Sequence, residues 1–170
     1  MKRLTLMRHG NAQWKDPQIS DFDRPLNRRG HSEAEAMGRR LMELQLVPAL
    51  LLTSAARRAA QTSEIVAREL GVSGRNIRSE ESLYLAAAED IRQIVQSTGP
   101  RIQHLMIVGH NPGLSEVAHL LAPNRGIGNL NTAAACSFTF DTNSWSAVVA
   151  STLRESFNES PPVSLFALWA

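Results

Sequence analysis

The stretch LTLMRHGNAQW, residues 4–14, joins a short apolar run to a charged end. Leu4–Met7 has the length and composition of a buried β-strand, and the polar triplet RHG follows it immediately. In open α/β sheets, ligands bind where the carboxyl ends of strands pass into loops. The end of this strand is therefore the first place to look for chemistry.

Apolar runs of strand length alternate with helix-like segments over the next hundred residues. Met37 and Leu41 lie at helical spacing in one segment, and Gly71 suits the C-terminus of another. Asn111 and Pro112 would open a further helix, as the cap and the first turn. We predict strands over Leu4–Met7, Val47–Thr53 and His104–Val108, and helices over Gly30–Leu46, Ala55–Leu70, Ala86–Ser97 and Leu114–Leu121.

The last third of the chain has a different pattern. The runs CSFTFDT (136–142) and SWSAVVA (144–150) are split at Asn143 and Ser144, which predicts a β-hairpin. The run VSLFALW (163–169) could close the sheet. Together the patterns predict an α/β fold, a three-layer α/β/α sandwich with a mostly parallel central sheet and antiparallel edge strands, in one domain over residues 1–170.

Composition excludes several classes of protein. The chain has 170 residues, 18 basic against 16 acidic, and a net charge of +2, which falls short of the basic excess of a nucleic-acid binder. No apolar run reaches the roughly 18 residues of a membrane-spanning helix. Cys136 is the only cysteine, so an internal disulfide is impossible and a cysteine-based zinc site is disfavoured. We expect a cytoplasmic protein that binds neither nucleic acid nor membrane.

Three predicted strands end in polar residues. The first ends in Arg8 and His9, the second precedes Arg57 and Arg58, and the third ends in His110. If these strands are parallel neighbours, histidines and arginines meet at one place, where the planar guanidinium suits a highly charged oxyanion such as phosphate. Arg57 shares its helical stripe with polar residues, whereas Arg58 aligns with Thr62 and Ile65 and is the better site candidate.

Other polar residues have simpler interpretations. A single histidine at a strand end is more often structural than catalytic, and only the combination with arginines reverses these odds for His9 and His110. His31, His104 and His119 have no such setting and are expected to be structural. Three aspartates, Asp16, Asp21 and Asp23, lie on a polar loop, where anchoring the loop is a likelier role than binding metal. We predict no metal and no cofactor.

Three motifs, RHG at 8–10, SAARRAAQT at 54–62 and VGHNP at 108–112, together resemble the histidine phosphatase superfamily, the phosphoglycerate-mutase-like fold. The chain is most similar to its compact SixA-type phosphohistidine phosphatases, and DFDRPLNRRG at 21–30 extends the resemblance. The resemblance implies that His9 is a nucleophile that becomes phosphorylated, while Arg8, Arg58 and His110 bind the phosphoryl group. The further substrate-binding candidates are Gly10, which would let a phosphate approach the backbone, Asn11 and Asn111.

One expected residue of the family is missing. Relatives that cleave or move phosphate esters carry a glutamate as general acid after the second helix, and Leu85 stands at that position here. Glu81, Glu89 and Asp90 are nearby, and surface charge is the simpler interpretation of each. An alkoxide needs a proton to leave, whereas protonated phosphohistidine departs as neutral imidazole. The sequence therefore favours hydrolysis of an N–P bond, with a phosphohistidine-containing protein, such as a histidine phosphotransfer domain or a carrier protein, as the partner.

Two alternatives stay open from the residues. One is a phosphatase for small phosphorylated metabolites, or a mutase, although the inserted basic segments that a mutase would use to bind its acidic substrate are not found. The other, of a different class, is a non-catalytic module that binds phosphate or phosphoproteins. The presence of all four candidate residues, Arg8, His9, Arg58 and His110, makes the module the less favoured of the two. Labelling of His9 by a phosphoramidate would separate the enzyme from the module.

Overall fold

A computed structural model of the chain describes residues 1–162, so the predicted closing strand at 163–169 lies outside the described residues. Within residues 1–162, six strands and four helices follow one another in the order β1-α1-β2-α2-β3-α3-β4-α4-β5-β6. The strands are β1 (Lys2–Arg8), β2 (Leu50–Ser54), β3 (Ile77–Glu80), β4 (His104–Gly109), β5 (Ala135–Phe140) and β6 (Leu153–Glu159). The helices are α1 (Arg28–Glu43), α2 (Arg57–Leu70), α3 (Ala88–Gln96) and α4 (Gly113–Leu121).

The six strands form one sheet in the order β3-β2-β4-β1-β5-β6. Strands β3, β2, β4 and β1 are parallel neighbours, β5 runs antiparallel to β1, and β6 runs antiparallel to β5. The expectation of a mostly parallel sheet with antiparallel additions at an edge is confirmed. Parallel strands need crossover helices, and these helices cover both faces of the sheet.

Each face of the sheet has its own apolar core, as the alternation of side chains along a strand requires. On β1, Leu4 and Leu6 point to the core beneath α3 and α4, whereas Met7 points to the core beneath α1 and α2. Strand β4 is buried throughout and contributes to both cores. The chain therefore forms the three layers that its sequence predicts, with β1 and β4 at the centre.

Local sequence explains where two of the helices begin and end. Asn27 precedes α1 and its side-chain oxygen accepts a hydrogen bond from the Gly30 amide at 2.8 Å, a standard N-terminal cap. Gly71 follows α2 with a φ of 66°, in the left-handed conformation that glycine adopts most easily. Within residues 1–162, no helix combines the length and the apolar character that crossing a membrane requires.

The structure differs from the predicted secondary structure in three places. The run 144–150 is a loop that contains one short 3₁₀ turn and begins another, and its apolar residues Trp145 and Val148 insert into the core. The hairpin partner of β5 is instead β6, which follows this loop. Strand β3 escaped prediction because its sequence, IRSE, lacks an apolar pattern and lies at the sheet edge. Asn111 does not cap α4, because the residue immediately before that helix is Pro112, which makes no side-chain capping bond.

Candidate active site

The central position of β4 brings three strand ends together. In the register of the sheet, Arg8 of β1 lies opposite Gly109 of β4. The next residue, His9, donates its amide hydrogen to the Gly109 carbonyl at 3.1 Å. The rings of His9 and His110 therefore lie side by side, with centroids 5.1 Å apart. The expectation that the polar strand ends meet at one edge of the sheet is confirmed.

Helix α2 directs one of its two adjacent arginines into this site. Arg57 is exposed, whereas the side chain of Arg58 is only 3% exposed, as the helical stripe predicts. Its Nε lies 3.3 Å from Nε2 of His9, and its Nη2 lies 3.4 Å from Nδ1 of His110. One guanidinium thus contacts both histidines.

The hydrogen bonds of His9 define which nitrogen can react. Its Nδ1 lies 2.7 Å from the carbonyl oxygen of Gly10, and since a carbonyl only accepts, Nδ1 must carry the hydrogen. Nε2 then keeps its lone pair and faces Arg58. The pKa of His9 is lowered to about 4: burial is the largest cause, the hydrogen bond to Gly10 opposes it, and the cations Arg58 and Arg8 add to it. His9 is consequently neutral at neutral pH.

His110 is also neutral, and its orientation is fixed by two partners. Nε2 lies 2.7 Å from Ser54 Oγ, at the end of β2. Because Arg58 can only donate to Nδ1, Nε2 carries the hydrogen and donates it to Ser54. Burial, followed by the neighbouring His9 and Arg58, lowers the pKa of His110 to about 3. The ring is therefore a rigid neutral element of the site.

Arg8 completes the positive wall of the site. Its Nη1 donates to the carbonyl of Leu130 at 3.2 Å. Its Nε is buried and has no hydrogen-bond partner within residues 1–162. Burial lowers the pKa of Arg8, although Glu33 opposes the shift. A buried, unpaired donor is costly, and an anion bound beside it would supply the acceptor.

The remaining substrate-binding candidates have structural partners. Asn11 accepts a hydrogen bond from the Asn27 side chain, which ties the loop after β1 to α1. Asn111 donates to the Leu130 carbonyl at 2.8 Å and accepts from Ser115 Oγ at 2.7 Å, so both ends of its amide are engaged. These contacts place both asparagines beside the site as loop anchors, and a role in substrate binding stays a prediction.

Gly10 has a packing role that differs from the one expected. A Cβ at this position would lie 2.7 Å from the Gly30 carbonyl oxygen at the start of α1. The reciprocal Cβ at Gly30 would lie 2.0 Å from the Asn11 carbonyl oxygen. The two glycines therefore permit α1 to approach the end of β1 closely, whereas the approach of a phosphate to Gly10 stays a prediction.

Two residues beside the site were not predicted to belong to it. The loop before α1 places Asp21 against Arg58, and Tyr84 Oη donates to Asp21 Oδ2 at 2.6 Å. The Tyr84 ring also packs edge-on against His110, with centroids 5.5 Å apart. The bond from Tyr84, with help from Arg58, lowers the pKa of Asp21 to about 2. From the sequence, Asp21 was interpreted only as an anchor of the polar loop, and no pattern indicated a role for Tyr84.

The three candidate acids lie at the protein surface. Glu81 and Asp90 are exposed, and Glu89 forms an exposed ion pair with Arg92 at 2.8 Å. Among the contacts of residues 1–162, none of these carboxylates hydrogen-bonds to His9, Arg58 or His110. Leu85 follows Tyr84 directly and is 58% exposed. The interpretation of Glu81, Glu89 and Asp90 as surface charge is confirmed.

The other singled-out residues behave as structural or surface groups. His104 is buried and hydrogen-bonds to Thr5 Oγ1 at 2.8 Å, away from the site, while His31 and His119 are exposed. Over the described part of the chain, no group of three or more histidine, cysteine, aspartate or glutamate side chains is placed to hold a metal ion.

Comparisons with known proteins agree with this geometry. Residues 4–84 match the family described as the histidine phosphatase superfamily (branch 1). An uncharacterized chloroplastic protein of Arabidopsis thaliana is 32% identical over 71% of this chain and 59% of its own length, and an uncharacterized protein of Mycobacterium tuberculosis is 34% identical over 71% and 72%. The structure of a candidate phosphohistidine phosphatase SixA from Agrobacterium tumefaciens is 27% identical, with a TM-score of 0.76 over 82% of this chain and 92% of that one.

Proposed function

This chain belongs to the histidine phosphatase superfamily, and from that premise we propose that it is a metal-independent phosphohistidine phosphatase that works through a phosphorylated His9. The observation that carries the proposal is the state of the His9 ring. Its Nδ1–H is held by the Gly10 carbonyl, and its unprotonated Nε2 faces the Arg58 guanidinium. An imidazole attacks phosphorus only through an unprotonated nitrogen, so the proposed nucleophile is ready at neutral pH.

In the first step, the lone pair of His9 Nε2 attacks the phosphorus of the substrate. A new N–P bond forms to Nε2, and the N–P bond of the substrate breaks, with its electron pair going to the departing imidazole. Charge on the transferring phosphoryl oxygens is stabilised by Arg8 and Arg58, which supply positive charge in a partly buried site. The Nε of Arg8, which has no hydrogen-bond partner within residues 1–162, is a further donor that a phosphoryl oxygen could pair with.

In the second step, water attacks the phosphorus of phospho-His9. The bond to Nε2 breaks, the lone pair returns to the ring, and the proton lost by the water stays on the released phosphate or passes to solvent. The hydrogen bond from Nδ1 to Gly10 holds the ring in the same orientation in both steps. No other residue needs to change its protonation state.

The N–P bond is favoured because the groups around His9 are poor proton donors at neutral pH. The pKa of Asp21 is lowered to about 2 and that of His110 to about 3, so the first is ionised and the second is already deprotonated. Tyr84 is held by Asp21, which raises the pKa of its hydroxyl. A protonated phosphohistidine brings its own proton to the leaving nitrogen, whereas a phosphate ester would need one from the enzyme.

A protein is the substrate class that fits this chemistry. Phosphohistidine occurs on proteins such as histidine phosphotransfer domains and phosphocarriers, and the Agrobacterium relative is described as a candidate phosphohistidine phosphatase. Leu85, the residue after Tyr84, is 58% exposed, and at this position an ester-cleaving relative would carry its acid. We propose hydrolysis of a phosphohistidine-containing protein over that of a small phosphate ester.

The test combines a labelling experiment with a substrate panel. Incubation with ³²P-phosphoramidate should label the wild-type protein on His9, and His9→Ala should abolish both the label and hydrolysis. His31→Ala, at an exposed histidine outside the site, is the matched control and should retain both. Turnover of a phosphohistidine peptide should exceed that of a phosphoserine peptide and of sugar phosphates. Hydrolysis retained by His9→Ala would refute the mechanism, and a preference for esters would refute the substrate class.

A further inference from the structure

The side chain of Arg58 is held at one of its edges by a single residue of the loop before α1. Its Nη1 donates to the main-chain carbonyl of Asp21 at 2.6 Å, and its Nη2 donates to Oδ2 of the same residue at 3.1 Å. Asp21 therefore accepts hydrogen bonds from both terminal nitrogens, Nη1 and Nη2, which form the end edge of the guanidinium. This is the two-point contact that a planar guanidinium can make with a pair of acceptors.

The second edge of the same guanidinium faces the histidines. A guanidinium presents Nε–H and one Nη2–H in parallel along its side, and here these point to Nε2 of His9 and Nδ1 of His110, at 3.3 and 3.4 Å. Both distances are long for hydrogen bonds. This edge lies between the proposed nucleophile and its neighbouring ring, where two oxygens of a phosphoryl group would bind.

Tyr84 fixes the Asp21 carboxylate in this position. Its hydroxyl donates to Oδ2 at 2.6 Å, and its ring lies between Phe22 and His110, edge-on to each, with centroid distances of 5.1 and 5.5 Å. Arg58 itself is 3% exposed, so water cannot replace these contacts freely. Two segments distant in sequence, the loop carrying Asp21 and the turn carrying Tyr84, thus close around one arginine.

We propose that Asp21, supported by Tyr84, is a positioning residue that occupies the end edge of Arg58 and thereby aims the side edge at the phosphoryl group. The effect on catalysis rests on the proposed function, whereas the positioning of Arg58 can be tested by phosphate binding alone. Without the carboxylate, Arg58 keeps only the bond from Nη1 to the Asp21 main-chain carbonyl, and the direction of the Nε and Nη2 donors is no longer fixed by a two-point contact. A misplacement of about 1 Å in such a group can cost about 10²-fold in rate.

The test is a double-mutant cycle between Asp21 and Arg58, measured by two readouts. We expect Asp21→Ala to lower kcat/KM for phosphoramidate by about 10- to 100-fold, and to weaken binding of inorganic phosphate, measured by calorimetry. In the Arg58→Ala background, Asp21→Ala should change either quantity by less than about two-fold. Asp21→Asn keeps an acceptor for Arg58 and should recover part of the loss.

Asp23→Ala is the matched control, because Asp23 lies on the same loop but accepts from Ser20 instead of Arg58. It should behave as wild type in both readouts. Thermal unfolding of each variant identifies any loss of fold. Equal losses from Asp21→Ala with and without Arg58, or unchanged phosphate binding in Asp21→Ala, would overturn the inference. If phosphate binding follows the cycle but the wild-type protein does not hydrolyse phosphoramidate, the proposed function fails and the positioning of Arg58 by Asp21 stands.

Discussion

Acidification should leave His9 reactive far below the pH at which an ordinary histidine becomes protonated. Burial, with Arg58 and Arg8 beside the ring, lowers the pKa of His9 to about 4. With that pKa, about nine-tenths of the His9 rings are neutral at pH 5, compared with about 3% for a ring with the ordinary pKa of about 6.5. The two cases differ by about 30-fold in the amount of competent nucleophile.

The direct measurement is an NMR titration of the protein labelled at its histidine rings. Loss of one set of signals in His9→Gln assigns the ring, and its titration between pH 7 and pH 3.5 gives the pKa. Single-turnover phosphorylation by phosphoramidate, corrected for the ionisation of that reagent, should follow the same curve. A His9 ring that titrates near 6.5, or a corrected rate that falls about 25-fold between pH 7 and pH 5, would refute the assignment of a buried neutral nucleophile.

Two neighbouring arginines separate the causes of the shift. Arg58→Ala removes a cation that contacts Nε2 and should raise the pKa of His9, but not to its ordinary value, because burial is the larger cause. Arg57→Ala removes the adjacent exposed cation and should leave the titration curve unchanged. A return to the ordinary pKa in Arg58→Ala would mean that charge outweighs burial.

Three further changes test the fold around the site. Burial lowers the pKa of His104 to about 4, so below pH 6.5 the unfolded chain binds more protons than the folded chain. Urea unfolding should show that this group lowers the free energy of unfolding by about 2 kcal/mol between pH 7 and pH 5, and that His104→Gln removes this loss. An unchanged pH dependence in the variant would contradict this. Gly30→Ala places a Cβ 2.0 Å from the Asn11 carbonyl oxygen and should lower stability by more than about 2 kcal/mol in urea unfolding, whereas Gly74→Ala, in open space, should be nearly neutral. Cys136 is buried and the pKa of its thiol is raised to about 12, so a thiol reagent should modify it only after unfolding, and rapid labelling of the native protein would contradict its placement.

The sequence predicted those parts of the fold in which local pattern and tertiary environment agree. The buried strands β1 and β4 have apolar runs, and α2 has both its amphipathic stripe and the terminal glycine at Gly71. The failures occur where the two disagree. Strand β3 is defined by its pairing with β2 and carries no apolar pattern, while Trp145 and Val148 insert into the core from a loop and give that loop the apolar composition of a strand.

The same distinction separates the predicted from the unpredicted part of the site. His9, Arg58 and His110 follow strands or begin a helix, and the rule that the carboxyl ends of parallel strands meet brings them together without knowledge of side-chain geometry. Asp21 and Tyr84 belong to irregular segments. Their approach depends on how a long loop and a short turn pack against each other, and no periodicity records that packing.

Gly10 has a packing role that the sequence did not predict. The sequence suggested an open approach for phosphate, but the close neighbour of its missing side chain is the backbone of Gly30. Because α1 begins at this contact, the glycine pair fixes the start of the helix relative to the end of β1, and Glu33 on that helix in turn accepts the amide hydrogen of Asn11 at 3.0 Å. The loop that follows His9 is therefore set by packing, and it holds the Gly10 carbonyl where it accepts the hydrogen bond from Nδ1–H, so that Nε2 stays unprotonated.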